Sequence, residues 1–275
     1  MAAFGPIVSP EWLREHIDDQ DLRVIDFRWY LMGGKGRDAY ARGHIPGAVF
    51  VDLEAVTGKV GGGRHPLPTG EQFEKEMQKA GIDPRTKVVA YDDAGGSIAS
   101  RLWFLLRLFG HPAEAVLDGG LAAWGGPLET QESVAARGAF RCSEPDWSGT
   151  LDYEDVRKLA SVPIIDARAG ERYRGEKEPV DPKAGHIPGA RSAPWAENLG
   201  PDGRFKSGEE LRKRFADLGI GDENGAVVYC GSGVNATHDL LAMELAGIKN
   251  GRLYAGSWSD WSSRDAPVAT GKDPG

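Results

Sequence analysis

The sequence predicts two homologous α/β domains, each a parallel β-sheet flanked by helices. The hexapeptide GHIPGA occurs twice, beginning at residues 43 and 185, which are 142 residues apart. A repeat of this length indicates a duplicated unit. Short β-branched runs alternate with helical patterns in both halves, which favours parallel strands joined by crossover helices. The length of 275 residues also suits two domains of ordinary size.

Other segments repeat at nearly the same distance. VIDFR at 24–28 matches IIDAR at 164–168, and VVAYD at 88–92 matches VVYC at 227–230. Each of these runs has the β-branched composition and the length of a buried strand. The two halves are therefore interpreted as copies of one ancestral domain.

Between the copies lies a stretch that mixes Gly, Pro, Ser and charged residues without a sustained period. Such composition is typical of a connection. We predict a first domain over 1–131, a linker over 132–150 and a second domain over 151–275. Cys142 falls inside the linker and is interpreted as an incidental thiol.

Three helices carry recognisable end signals. PEWLREHI follows Ser9, a residue type that caps helix N-termini, while EQFEKEMQKAG and EELRKRFADLG each finish on a glycine, Gly81 and Gly219. Glycine at this place permits the left-handed backbone that commonly ends a helix.

Composition excludes several classes of function. Hydrophobic residues make up 40% and charged residues 27% of the chain, the formal net charge is −8, and no long basic run is present, so nucleic acid is not expected as a partner. The apolar stretch LWFLLRLFG is interrupted by Arg107 and predicts no membrane span. The start of the chain lacks the pattern of a signal peptide, so we expect a cytoplasmic protein. Two cysteines are too few for a disulfide framework and too dispersed for a zinc site, so no metal is expected.

Cys230 is the principal candidate for chemistry. It ends the strand-like run AVVY, precedes the glycine-rich turn CGSG and leads into the helical pattern VNATHDLLAMELAG. Unpaired N–H groups and the positive end of the helix dipole favour a thiolate at such a place. Gly231 and Gly233 allow several N–H groups to converge on one anion. The bland alternative, a small buried residue at a strand end, does not account for the whole arrangement.

Together these segments resemble a known family, the tandem-domain rhodaneses, which comprise the thiosulfate and 3-mercaptopyruvate sulfurtransferases. The resemblance rests on VIDFR and IIDAR, both GHIPGA boxes, LDGGLAAW with its weaker partner YAGSWSDW, and the loop CGSGVNAT. It implies two rhodanese-like domains and sulfur carried as a persulfide on Cys230, with no cofactor. It also implies that the first domain is catalytically silent and walls the site, because Asp92 occupies the cysteine position.

The resemblance further implies a persulfide-binding anion loop directly after Cys230. Asn235 stands where the family usually has threonine. The loop is neutral, and its serine could contact the donor or relay a proton, although a plain turn serine is an equal alternative. A neutral loop favours 3-mercaptopyruvate over thiosulfate as the donor. The residues assigned to the loop are Gly231, Ser232, Gly233, Val234, Asn235 and Ala236.

Arg172, in ERYRG, matches the substrate-binding arginine of the family, and a guanidinium suits a carboxylate or a thiosulfonate group. Arg174 lies nearby and could substitute for it. A further arginine that mercaptopyruvate enzymes often carry before the second GHIPGA box is missing here. His44 and Asp38 are considered as contributors across a domain cleft, but repetition of the histidine in both halves favours a shared structural turn.

The cysteine loop is relevant to four functions. The first is transfer of sulfane sulfur from 3-mercaptopyruvate through Cys230 to cyanide or a thiol acceptor, such as a thioredoxin-like dithiol; the second is the same mechanism with thiosulfate. A cysteine phosphatase or arsenate reductase would need the pattern CxxxxxR, and here Ala236 stands in place of the arginine. A binding module without turnover would be expected to lose the cysteine, which is retained.

Overall fold

The computed structural model of the protein describes residues 4–159 and 161–275. The chain divides into two compact units. Unit 1 contains the described residues up to Thr57, Pro68–Asp146 and Pro201–Arg204; unit 2 contains Gly58–Leu67, Trp147–Gly200 and Phe205–Gly275.

Unit 1 is built on a five-stranded parallel sheet with strand order β1-β5-β4-β2-β3. Its central strand is buried along nearly its whole length, as expected for a sheet covered on both faces. The strands are β1 (Ile7–Val8), β2 (Leu22–Asp26), β3 (Val49–Phe50), β4 (Lys87–Tyr91) and β5 (Glu114–Leu117). The helices are α1 (Pro10–His16), α2 (Gly36–Arg42), α3 (Gly70–Lys79), α4 (Ala99–Leu108) and α5 (Gly120–Trp124), with a 3₁₀ turn at Leu53–Val56.

Unit 2 repeats this topology, with strand order β6-β10-β9-β7-β8 and every pair parallel. The prediction of two α/β domains with parallel sheets is confirmed. The strands are β6 (Thr150–Leu151), β7 (Ile164–Asp166), β8 (Ala190–Ser192), β9 (Ala226–Tyr229) and β10 (Gly251–Tyr254). The helices are α6 (Tyr153–Arg157), α7 (Gly170–Tyr173), α8 (Gly208–Asp217), α9 (Ala236–Leu245) and α10 (Ser257–Trp261), with 3₁₀ turns at Trp147–Gly149 and Trp195–Asn198.

The predicted helix signals lie at the ends of α1, α3 and α8. Ser9 caps α1 by accepting a hydrogen bond from the backbone N–H of Trp12 (3.1 Å). Gly81 and Gly219 stand one residue beyond the C-caps of α3 and α8, at φ +74° and +72°. A side chain is disfavoured in this left-handed region, so glycine ends both helices without strain. No helix in the described part of the chain is long and apolar enough to cross a membrane.

The VIDFR and IIDAR motifs form a buried ion pair in each unit. Asp26 and Arg28 approach to 2.6 Å, as do Asp166 and Arg168, with each of these side chains at most 5% exposed. Each guanidinium also donates to the carbonyl oxygen of the first glycine of a GHIPGA box, at 2.8 and 2.6 Å. The motif therefore ties the end of β2 or β7 to the following box, because a buried charge needs all its partners satisfied.

The two GHIPGA boxes have the same structural role. His44 and His186 are fully buried. In each, Nδ1 lies 2.8 Å from the carbonyl oxygen of a tyrosine, Tyr40 or Tyr173, on which the imidazole also stacks. Identical contacts in both units explain why the histidine is repeated, and they leave both rings engaged in holding the turn.

Three segments belong to a unit that the repeat pattern did not indicate, and one of them is Pro201–Arg204 of unit 1. Residues 132–146, within the predicted linker, pack on unit 1, where Phe140 is buried. The segment Gly58–Leu67, within the predicted first domain, packs into unit 2 instead. We call Gly58–Leu67 the strap. Its backbone is held there by hydrogen bonds such as that from Arg64 N–H to Ser259 Oγ (3.1 Å).

Candidate active site

Cys230 follows the central strand β9 of unit 2. It is a free thiol and only 1% exposed. The residues after it form a turn, and α9 begins at Ala236, with Asn235 as its N-cap. The loop thus separates the thiol from the first helical residue. Of the predicted loop residues, only Asn235 is more than slightly exposed.

The backbone of Cys230 is held by the start of α10. Its N–H donates to Ser257 Oγ (3.1 Å), and its carbonyl oxygen accepts from the N–H of Trp258 (2.9 Å). The N–H of Ser259 donates to the carbonyl oxygen of Gly231 (2.9 Å). Ser257 has φ +53°, which a residue with a Cβ adopts at a cost of about 1–2 kcal/mol. This strain is retained where its hydroxyl fixes the reactive residue, as is common at functional sites.

The matching loop of unit 1 carries Asp92 after the central strand β4. Its carboxylate is buried and accepts four backbone hydrogen bonds of 2.7–2.9 Å from the loop that follows, donated by Ala94, Gly96, Ile98 and Ala99. Burial raises the pKa of Asp92, although these amides oppose the shift. The loop geometry of this fold can therefore surround an anion that its own first residue carries. In unit 1 this anion is the carboxylate of Asp92.

The strap brings two side chains of the first half to the cysteine loop. His65 is buried, and its Nδ1 lies 2.8 Å from Ser232 Oγ. Ser232 is itself 8% exposed, two residues after Cys230. An imidazole in hydrogen-bond contact with a hydroxyl is an arrangement that can accept or donate a proton through that hydroxyl.

Arg64 and Arg172 converge on the same loop. A Cβ built on Gly231 would lie 3.1 Å from Arg64 Nη2 and 3.3 Å from Arg172 Nη1. The absence of a side chain at Gly231 therefore leaves room for two guanidinium groups beside the residue that follows Cys230. Two such groups suit an anionic substrate.

Two buried carboxylates, those of Glu178 and Asp181, bind these guanidiniums. Arg172 Nη2 donates to Glu178 Oε1 (2.7 Å) and to Asp181 Oδ2 (3.1 Å), and Arg64 Nη1 donates to Asp181 Oδ1. Glu178 also accepts from Arg168 Nη1 (3.2 Å). Both carboxylates are 3% exposed. Burial alone would raise the pKa of Glu178, but the hydrogen bonds from Arg172 and from two backbone amides hold it below its usual value. Burial raises the pKa of Asp181 in spite of Arg64.

Three further predicted residues are described within their own units. Arg174 pairs with Glu176 at the surface (2.7 Å). His44 is buried in unit 1, where it contacts Tyr40, and Asp38 is exposed in the first turn of α2. Within unit 2 the structure therefore brings Cys230, its loop and Arg172 together, whereas Arg174 pairs with Glu176.

Sequence reasoning missed Arg64, His65, Asp181 and Ser257. For Arg64 and His65 the signal was local: GGGRHPLP places two basic side chains between a glycine run and prolines. Ser257 lies in the motif YAGSWSDW, which does not by itself indicate a contact with Cys230. Nothing in that pattern shows that the strap belongs with a loop 167 residues further along the chain. In the described ranges, no group of three or more His, Cys, Asp or Glu residues could hold a metal ion.

The rhodanese-like domain model matches the chain twice, at residues 9–126 and 152–264. The chain belongs to the rhodanese family. The two matches correspond to the two repeated sheets, and the resemblance predicted from the motifs is confirmed.

Individual relatives cover nearly the whole chain. A probable 3-mercaptopyruvate sulfurtransferase of Pseudomonas aeruginosa is 43% identical and aligns with 96% of this rhodanese and 98% of its own length. A putative thiosulfate sulfurtransferase, SseB, of Mycobacterium tuberculosis is 40% identical, with 91% of each chain covered. The crystal structure of SseA from Escherichia coli, a 3-mercaptopyruvate sulfotransferase, superposes with a TM-score of 0.82 and 34% identity, covering 92% of this chain and 99% of that one.

Proposed function

We propose that this rhodanese is a 3-mercaptopyruvate sulfurtransferase that carries sulfur on Cys230 as a persulfide and passes it to a thiol or to cyanide. The contact between His65 and Ser232 (2.8 Å) is the observation that supports 3-mercaptopyruvate as the donor. Removal of sulfur from 3-mercaptopyruvate requires that a proton move from sulfur to carbon, and this pair lies beside the cysteine loop.

The first half-reaction balances as follows. The Cys230 thiolate attacks the sulfur of 3-mercaptopyruvate, an S–S bond forms, and the C–S bond breaks with its electron pair going to the carbon. The resulting enolate takes up the proton that the donor thiol carried, so pyruvate leaves and Cys230 retains an anionic persulfide. Converging N–H groups of the loop would stabilise that outer sulfur, as the amides of unit 1 surround Asp92.

In the second half-reaction the outer sulfur passes to an acceptor. Cyanide leaves as thiocyanate, whereas a dithiol becomes a disulfide and releases hydrogen sulfide; the Cys230 thiolate is regenerated in both reactions. We propose thioredoxin-like dithiols as natural acceptors. The cycle requires no cofactor, because Cys230 itself holds the transferred atom. A cytoplasmic setting suits this chemistry, since a reducing compartment keeps Cys142 and Cys230 as thiols.

His65 and Ser232 are proposed to move the proton from the donor thiol to the leaving enolate. Ser232→Ala is expected to lower kcat with 3-mercaptopyruvate by about 10²-fold, the usual contribution of acid–base catalysis. Thiosulfate releases sulfite and needs no proton, so turnover of thiosulfate should change little. His65→Ala should match Ser232→Ala, and the double variant should be no slower than the worse single variant. An equal loss with both donors would contradict the proton role.

The alternative donor is thiosulfate, which the similarity to the putative thiosulfate sulfurtransferase of Mycobacterium tuberculosis favours. The deciding experiment compares kcat/KM for 3-mercaptopyruvate and thiosulfate side by side, with cyanide or a dithiol as acceptor and the Cys230→Ser protein as blank. We expect 3-mercaptopyruvate to be preferred. Preference for thiosulfate would replace the donor and retain the persulfide mechanism, whereas inactivity with both donors would refute the proposed function.

A further inference from the structure

Both guanidiniums beside Gly231, those of Arg64 and Arg172, bind carboxylates of the protein. Arg64 uses Nη1 for Asp181, and Arg172 uses Nε and Nη2 for Glu178 and Asp181. Neither the Nη2 of Arg64 nor the Nη1 of Arg172 takes part in these bonds, and these two nitrogens are the ones nearest Gly231. Each arginine therefore has one terminal nitrogen near the cysteine loop, while its other terminal nitrogen binds a carboxylate.

The formal charges of this network balance. Three guanidiniums, those of Arg64, Arg168 and Arg172, face three carboxylates, those of Asp166, Glu178 and Asp181. The carboxylates are at most 3% exposed, so water screens them little. A donor that binds here meets directed N–H groups, but it meets no surplus positive charge from these six side chains.

We propose that Asp181 makes the site favour a monoanionic donor over a dianionic one, because its carboxylate neutralises Arg64. This inference rests on the proposed sulfurtransferase function. 3-Mercaptopyruvate with a protonated thiol carries one negative charge, and the terminal nitrogens and loop amides suffice for it. Thiosulfate carries two, and its second charge lies near the carboxylate of Asp181 without a cation to match it. Glu178 has a different role, because it also holds Arg168 and the backbone N–H groups of Val180 and Asp181.

The test replaces Asp181 with asparagine, which keeps the shape and removes the charge. A dianion gains about twice as much as a monoanion when a nearby negative charge is removed. The ratio of kcat/KM for thiosulfate to kcat/KM for 3-mercaptopyruvate is therefore expected to rise about tenfold. Arg64→Gln removes the opposite charge from the same ion pair, and it should lower this ratio by a similar factor.

Two control variants separate local charge from other effects. Asp181→Glu retains the charge and should keep the ratio of the unmodified protein. Glu176→Gln removes the same formal charge from a side chain that is 57% exposed and paired with Arg174, and solvent screening should leave the ratio unchanged. A ratio unaffected by Asp181→Asn, a parallel loss with both donors, or an equal shift in Glu176→Gln would each overturn the inference.

A binding measurement keeps this inference separate from the proposed function. The Cys230→Ser protein cannot accept sulfur, so calorimetric titration with thiosulfate reports affinity alone. The Kd for thiosulfate should fall about tenfold when Asp181→Asn is added to Cys230→Ser. A lower Kd, with neither donor turned over by the protein that retains Cys230, would support the charge rule and refute the enzyme assignment. An unchanged Kd, with sulfur transfer by the protein that retains Cys230, would refute the charge rule and support the enzyme assignment.

Discussion

Cys230→Ser is expected to abolish sulfur transfer, with a loss of at least about three orders of magnitude in kcat. A hydroxyl at this position has the hydrogen-bonding ability of the thiol, but it is a weak nucleophile at neutral pH and does not hold sulfane sulfur. The measurement has two parts: turnover of 3-mercaptopyruvate with cyanide, and intact-mass analysis after donor is added without acceptor. The unmodified protein should gain one sulfur atom, and Cys230→Ser should gain none.

Cys142→Ser is the matched control, because it removes the other thiol of the chain. Cys142 Sγ donates to the carbonyl oxygen of Gly70 (3.2 Å), and burial together with Glu74 raises the pKa of Cys142 to about 11. It therefore remains protonated at neutral pH and is a poor nucleophile. This variant should retain full turnover and still gain the sulfur atom. Activity that survives in Cys230→Ser but falls in Cys142→Ser would reject the mechanism.

Gly233→Ala is expected to lower kcat about 10²-fold, because small displacements of a reactive group have effects of this size. Gly233 has φ +78°, and an added Cβ would come within 2.4 Å of the carbonyl oxygen of Ala255. That carbonyl belongs to the backbone just before Ser257, which holds the N–H of Cys230. The loop cannot admit the methyl group without moving the cysteine or its support. Turnover and thermal unfolding measured on the same preparation would show both effects.

Gly189→Ala separates backbone strain from this collision. Gly189 has φ +84°, but an added Cβ would meet nothing within 4 Å. It should lose about 1–2 kcal/mol of stability, the cost of a left-handed residue with a Cβ, and retain its turnover. If both variants lost activity equally, strain in general would explain the result and the close approach at Gly233 would not.

Much of the fold could be predicted because its signals are local or repeated. The GHIPGA boxes and the paired VIDFR and IIDAR segments indicated two copies, and the β-branched runs indicated the strands on which both sheets are built. Cap residues such as Ser9 and Gly219 act within one helical turn, so their chemistry can be read without tertiary contacts.

The active site could be predicted only in part from the sequence. Cys230 and its loop are contiguous and carry their own signature, a strand followed by a glycine-rich turn and a helix. Other contributions depend on chain segments far apart: the strap delivers Arg64 and His65 to a loop more than 160 residues away, and Ser257 supports Cys230 from another helix. An arginine or serine in a sequence is usually a surface or turn residue, so residue type alone does not distinguish these side chains.

The sequence by itself determined that the chain is a duplicated α/β protein with one reactive cysteine, because repeats, strand patterns and turn glycines act over short distances. Only the tertiary structure decided which charges surround that cysteine. Electrostatic interactions act through space, so Asp181, Arg64 and Arg172 become one network only when the strap and the segment after α7 are folded against the same loop.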